Sequence, residues 1–237
     1  MPCSDSDDCT TSGDDDDGAY DTHASVAQEA SLLEVTVRPG VTLRVSHHAA
    51  KGIGHQLWPA AHVAAQYALL QSADLWRGAR VLELGAGCGL TGLLVACLGA
   101  HVTLSDLPDV VDGPLAQNVA ANEQLVAHCG GGSIRAAPLA WGDARHIADL
   151  GDNWDVLLCC DVVYRKHLFQ PLVNTLRALA KPDKTLVVIA HLKRWSFEGD
   201  FWKSLARHFT PRQEVHVQAQ PEAGQRRPVR VFTCRLK

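Results

Sequence analysis

The sequence predicts an α/β protein built on a doubly wound, mainly parallel sheet, with a β-hairpin extension at its N-terminus. Two patterns point there. From residue 79 onward, short apolar strands alternate with helical stretches, the order of a wound sheet. Upstream, Leu33–Val37 and Val41–Val45 alternate with period two around Arg38-Pro39-Gly40, a hairpin signal. A length of 237 residues with 46% hydrophobic content is enough for one well-buried domain.

The elements follow in order. Residues 1–26 are low-complexity Ser, Asp, Thr and Gly with little to bury, so a disordered acidic tail is expected, with the domain over 27–237. Trp58, Ala61, Ala65 and Leu69 have helical spacing over 58–72, and Pro59 sits in the first turn, where its missing N–H is harmless. Val81–Leu84 is a short strand ending at glycines, and Leu90–Leu98 is a helix closing at Gly99. His101–Ser105 is the next strand. Residues 109–124 read as helix, with Pro114 as a flaw in the pattern. Ser133–Leu139 is a strand, and Trp154–Cys160 is apolar on both faces, as a central parallel strand should be. Residues 168–180 are helical, Thr185–Ala190 is another central strand, and 197–208 are helical. Two strands near 213–218 and 229–235 close the chain.

Charge is spread unevenly. Residues 1–37 hold ten acids and no Lys or Arg, which leaves a body of net +6 over 38–237. The tail reads either as a solvated extension or as a competitor with an acidic substrate for a basic rim. Arg226, Arg227 and Arg230 flank a loop before the last strand, either solvated or docking substrate. No apolar run reaches the roughly 18 residues that span a bilayer. The acidic start matches neither a secretory signal nor an Arg-rich transit peptide, so a cytoplasmic or nuclear protein without membrane contact is expected. The eight cysteines form no CxxC pair, several lie in apolar runs, and reduced core thiols are expected. The histidines show no spacing that demands a metal, so no metal is assigned.

The first strand-to-helix turn carries Gly85, Gly87 and Gly89. In wound sheets ligands sit beyond the carboxyl ends of the strands, and glycines let backbone approach a nucleotide-like ligand. The loop alone is ambiguous. Counted from Gly85 it lacks the last glycine of the dinucleotide pattern GxGxxG, but counted from Gly87 to Gly92 it satisfies it. Two acids add information. Asp106 ends the second strand, where it can accept from ribose hydroxyls under either reading. Glu83, two residues before the first glycine, can face a ligand ammonium, which S-adenosylmethionine carries.

At this point the chain resembles a known family. Leu57-Trp-Pro-Ala-Ala61, Val81-Leu-Glu-Leu-Gly-Ala-Gly-Cys-Gly-Leu90, Val102-Thr-Leu-Ser-Asp106, Asn118…Asn122, Leu139-Ala-Trp-Gly142 and Asp161-Val-Val-Tyr164 resemble, in order, the motifs of the family-16 seven-β-strand protein (lysine) methyltransferases, closest to the methyltransferase-like 21 group. The resemblance implies a seven-stranded class I methyltransferase fold from about residue 33 to the end. It implies S-adenosylmethionine as cofactor and a lysine-containing protein, not nucleic acid, as substrate; the oligomeric state stays open, with a monomer favoured. By the same resemblance Trp58 lines the methionine end of the cofactor, and Gly85, Ala86 and Gly87 wrap it. Asp106 holds the ribose, Leu107 lies against the adenine, Trp141 packs on the adenine face, and Cys160 touches the cofactor by its backbone. Asp161 and Tyr164 border the substrate amine as the catalytic pair. Cys88 stands where Thr is common, and Cys160 where Ala or Ser is frequent.

Each residue also has a plainer reading: Trp58 and Tyr164 as core packing, Trp141 as filler, Asp161 as a cap, Glu83 as a solvent-facing strand end. Three rival functions remain open on sequence. One keeps the chemistry with a histidine, an arginine or a small amine as acceptor. Another is an NAD-dependent oxidoreductase, and the last an inactive cofactor-binding scaffold.

Overall fold

In the computed structural model residues 31–217 and 228–237 are described; the acidic tail, Arg226 and Arg227 lie outside the described residues. The described residues begin with the expected hairpin. Strand β1 (Ser31–Arg38) pairs antiparallel with β2 (Val41–His47), and Gly40 takes a positive φ of 79° at the turn. Leu43 and Val45 are fully buried while Thr42 and Arg44 are exposed, as period-two alternation dictates. Helix α1 (Pro59–Leu70) and the single turn α2 (Ala73–Trp76) lead into the sheet.

The sheet is built from β3 (Arg80–Leu84), β4 (His101–Asp106), β5 (Ser133–Pro138), β6 (Val156–Cys160), β7 (Leu186–Leu192), β8 (Phe209–Val217) and β9 (Val229–Leu236). Their order is β5-β4-β3-β6-β7-β9-β8. The first five are parallel, and β9 runs antiparallel to both β7 and β8. The order reverses at β3, between β4 and β6, which is where a wound sheet opens a crevice.

Connecting helices cover both faces. Helices α3 (Leu90–Cys97) and α5 (Ala116–Gly130) join the hairpin and α1 over one face; α6 (Ala144–Leu150), α7 (Phe169–Leu179) and α8 (Glu198–Ala206) bear on the other. Strand parity assigns the core. Val81 points to the α3 face, whereas Leu82 and Leu84 point to the α7 face. Glu83 therefore points toward α3.

The expected helix over 109–124 is broken. A short turn α4 (Pro108–Val110) passes into a π-helical turn over Val111–Leu115, where Gly113 leaves helical geometry at φ −100°, ψ −110°. Pro114 cannot donate into a continuing helix, so the regular helix restarts at Ala116 and runs on to Gly130. Helix α6, which the apolar pattern does not mark, starts at Asp143, whose carboxylate caps the amides of Arg145 and His146 at 2.9 Å each.

Two buried amides of α5 tie the hairpin down. Asn122 accepts from Arg44 N–H and donates to Arg44 C=O. Asn118 accepts from Ser46 N–H at 2.8 Å and donates to both Ser46 C=O and Cys88 C=O at 2.9 Å.

Candidate active site

A cavity of about 430 Å³ lies at the carboxyl ends of β3, β4 and β6. Its walls include Trp58, Gly85, Ala86, Gly87, Asp106, Leu107, Trp141, Cys160, Asp161 and Tyr164. The structure thus gathers around one space every site residue expected from the sequence except Glu83.

The glycine loop needs its glycines. Gly85 has φ +65°, and a Cβ there would lie 3.0 Å from Trp141 Cζ2 and 3.1 Å from Val162 Cγ1. Gly87 has φ +54°, and a Cβ would stand 3.4 Å from Gly54 O. The Gly87 amide donates to Asp106 Oδ2 at 2.8 Å, and the Leu107 amide to Asp106 Oδ1 at 2.8 Å. Burial pushes the Asp106 carboxyl above its ordinary range, against the pull of these amides and of His55. Leu107 beside it is 49% exposed, an apolar lip at the mouth.

Glu83 is a correction. Its carboxylate is 1% exposed, and Oε2 accepts the Gly92 N–H at 2.9 Å in the first turn of α3. It supports the loop from beneath, bonded to the start of α3, and is not among the residues that line the cavity. Burial raises its carboxyl to about 7, against the lowering pull of the Gly92 amide and the Cys160 thiol. Gly92 is needed for this contact, since a Cβ there would fall 2.6 Å from Glu83 Oε2 and 2.3 Å from Leu104 Cδ2.

Cys160 directs its Sγ at Thr91 Oγ1, 3.4 Å away, and burial holds the thiol well above the ordinary range. Trp58 donates from Nε1 to Ile53 C=O at 3.1 Å. Trp141 meets Tyr164 edge to face, with centroids 6.5 Å apart. Asp161 is 8% exposed and holds φ +60°, a left-handed conformation unusual outside glycine. Its amide donates to Ala190 C=O at 2.8 Å.

Two contributors were not expected from the sequence. The segment between β2 and α1 folds into two 3₁₀ turns, Ala49–Lys51 and Ile53–His55, which form a wall of the cavity. Arg194, after β7, forks onto Asp161 with Nη1–Oδ1 at 2.7 Å and Nη2–Oδ2 at 2.5 Å. Its position past a strand's carboxyl end was the one available signal, and that signal does not single out an arginine.

The geometry is that of a nucleoside cradle, an acid and an apolar lip beside a glycine loop, opening toward a second carboxylate. Comparison with known proteins agrees. The family model described as lysine methyltransferase matches residues 37–208, and the chain belongs to this family of S-adenosylmethionine-dependent enzymes. EEF1A lysine methyltransferase 3 of Mus musculus is 35% identical over 159 residues, which is 67% of this chain and 65% of the relative. Protein N-lysine methyltransferase METTL21A of Danio rerio is 32% identical over 172 residues, 71% of this chain and 74% of the relative. The chain thus spans just under two thirds of the first relative's length and about three quarters of the second's. Among solved structures, magnesium protoporphyrin IX methyltransferase of Synechocystis with bound SAM superposes with a TM-score of 0.54 at 19% identity. That superposition covers 76% of this chain and 80% of the other, and it supports the class I fold alone.

Proposed function

We propose that this protein transfers a methyl group from S-adenosylmethionine to the side-chain amine of a lysine in a protein substrate. One observation carries the reading: the Gly85–Gly87 loop and Asp106 share a single cavity with the Asp161–Tyr164 step. A nucleoside-binding half and a carboxylate-lined half in one space suit a donor and an acceptor held together.

The cradle residues fit the cofactor. Gly85 and Gly87 lie where a side chain would crowd Trp141 and Gly54, and Asp106 offers carboxylate oxygens to a ribose while Leu107 and Trp141 offer apolar faces to a base. When bound, S-adenosylmethionine supplies a methyl group on a sulfonium, whose charge already activates the leaving thioether. The chain's own work is therefore alignment and exclusion of water. Trp141 and Tyr164 pack edge to face to close one side of the cavity, and Trp58 closes another. Asp161, whose backbone N–H donates to Ala190 C=O, marks where the acceptor nitrogen rests. That nitrogen must lose its proton first, and removal from water favours the neutral amine.

A nucleic-acid acceptor is disfavoured because the sequence has no Asn/Asp-Pro-Pro-Tyr step of the base-methylating enzymes. The test is to incubate the protein and labelled cofactor with lysate lacking the native enzyme, then map modified residues by mass spectrometry. Methyl-lysine in a protein is the expected product. Label confined to histidine, arginine or small amines would overturn the lysine assignment.

A further inference from the structure

A free carboxylate at Asp161 would work against methyl transfer to an amine. It would hold the acceptor as an ammonium, which has no lone pair to attack with. Asp161 is not free. Arg194 donates to both of its oxygens in a bidentate fork, which leaves the pair with no net charge. The side chains of Asp161 and Arg194 are 2% and 19% exposed, so solvent screens their charges poorly. The same guanidinium lies 5.1 Å from the ring centroid of Trp58, which lines the cavity.

The loop that carries Arg194 is itself fastened. Glu198 Oε1 accepts the amides of Arg194 and Trp195 at 3.0 and 3.2 Å, and its Oε2 meets His191 Nε2 at 2.9 Å. Both His191 and Glu198 are buried. A carboxylate–histidine pair spent on two loop amides is a costly device unless the loop's position matters.

We infer that Arg194 is the charge-setting positioning residue of the reaction: it fixes the Asp161 carboxylate in place while cancelling its charge, so that the target lysine reaches the cavity as a neutral amine. The inference rests on the lysine reading above. Other charges face the same space. Lys51, His55, Tyr164 and Arg165 line the cavity on the 3₁₀ and β6 sides, with Asp106 and Asp109 on the β4 side. Lys193 and Arg230 share with Arg194 a second groove alongside, Glu83 and the Cys160 thiol lie beneath the loop, and the His191–Glu198 pair lies behind it. These stay constant when only the Asp161–Arg194 pair is altered.

The test follows the sign of the charge left behind. Arg194→Met leaves the pair at −1, Asp161→Asn leaves it at +1, and the double variant leaves it neutral. Initial rates of labelled methyl incorporation into lysine are measured from about pH 6 to about pH 10, with lysate lacking the native enzyme as acceptor. Binding of S-adenosylhomocysteine by calorimetry reports an intact cradle. The pH midpoint of the rate should rise by about one unit in Arg194→Met, so that the rate near neutral pH falls about tenfold and recovers in alkali. It should fall in Asp161→Asn and return close to the native value in the double variant; Arg194→Lys should restore most of it.

Identical midpoints in all five proteins, with rates scaled equally at every pH, would overturn the inference while leaving the lysine reading intact. If Arg194→Met no longer binds the probe, the Asp161→Asn midpoint decides: a fall supports the inference and an unchanged midpoint overturns it. No methyl-lysine from the native protein at any pH would overturn the lysine reading and the inference with it.

Discussion

Glu83 should make the cofactor-free protein less stable as pH rises, and the size of the effect can be worked out. Burial lifts its carboxyl from an ordinary 4.5 to about 7, so between those values the folded protein keeps a proton that the unfolded chain releases. The folded state then binds more protons, and stability falls with rising pH across that window. At about 1.4 kcal/mol per pH unit the full loss is about 3 kcal/mol, most of it between about pH 5 and pH 8. For a domain of this size it amounts to about 6–12 °C in Tm. Glu83→Gln keeps an oxygen for the Gly92 N–H and cannot ionise, so the variant should lack this slope. The assay is thermal and urea unfolding of both proteins, without cofactor, at matched ionic strength over that range. Groups away from this site titrate alike in the two, so the difference between them isolates Glu83 with the Cys160 and Asp106 groups coupled to it. Parallel curves for the native protein and the variant would refute the reasoning and mean that the carboxylate stays ionised in its burial site.

Other predictions concern the cavity. Asp161→Ala should lower turnover at least about 100-fold, because the acceptor loses its registered position, while binding of S-adenosylhomocysteine is retained. Radiolabel transfer and calorimetry separate the two effects, and near-native turnover would remove Asp161 from the mechanism. Asp106→Asn should weaken S-adenosylhomocysteine binding at least about tenfold, since hydrogen bonds to charged groups contribute about 1.5–3 kcal/mol. Gly85→Ala combines a left-handed backbone with contacts of 3.0 and 3.1 Å to Trp141 and Val162. The strain costs about 1 kcal/mol or more, so binding should weaken by about tenfold with only a small drop in Tm.

Most of the sheet was legible because parallel strands buried on both faces announce themselves as short apolar runs, and β3, β6 and β7 all fall where such runs occur. The cofactor half of the site was legible for a related reason: a loop, a strand-end acid and their order in the chain are local features. What failed was tertiary. Glu83 could face a ligand or a helix amide, and which it does depends on how closely the start of α3 packs over the end of β3. Arg194 reaches Asp161 across 33 residues of chain, and no short pattern encodes that meeting. The break at Gly113 was half visible, since Pro114 flagged trouble, but a proline alone does not say whether a helix kinks or stops. Helix α6 has seven residues, too few for an apolar period to show, and its one marker was the capping Asp143.

Asn118 has one amide oxygen and one amide nitrogen, and both are spent: the oxygen and one N–H on Ser46 of the hairpin, the other N–H on Cys88 of the glycine loop. A single side chain therefore splices the hairpin to the nucleotide cradle. The hairpin is then more than a cover for one face of the sheet. Any slip in its register, even one begun at the Gly40 turn, pulls on the carbonyl beside Gly87, and cofactor affinity then reports on whether the hairpin is correctly seated.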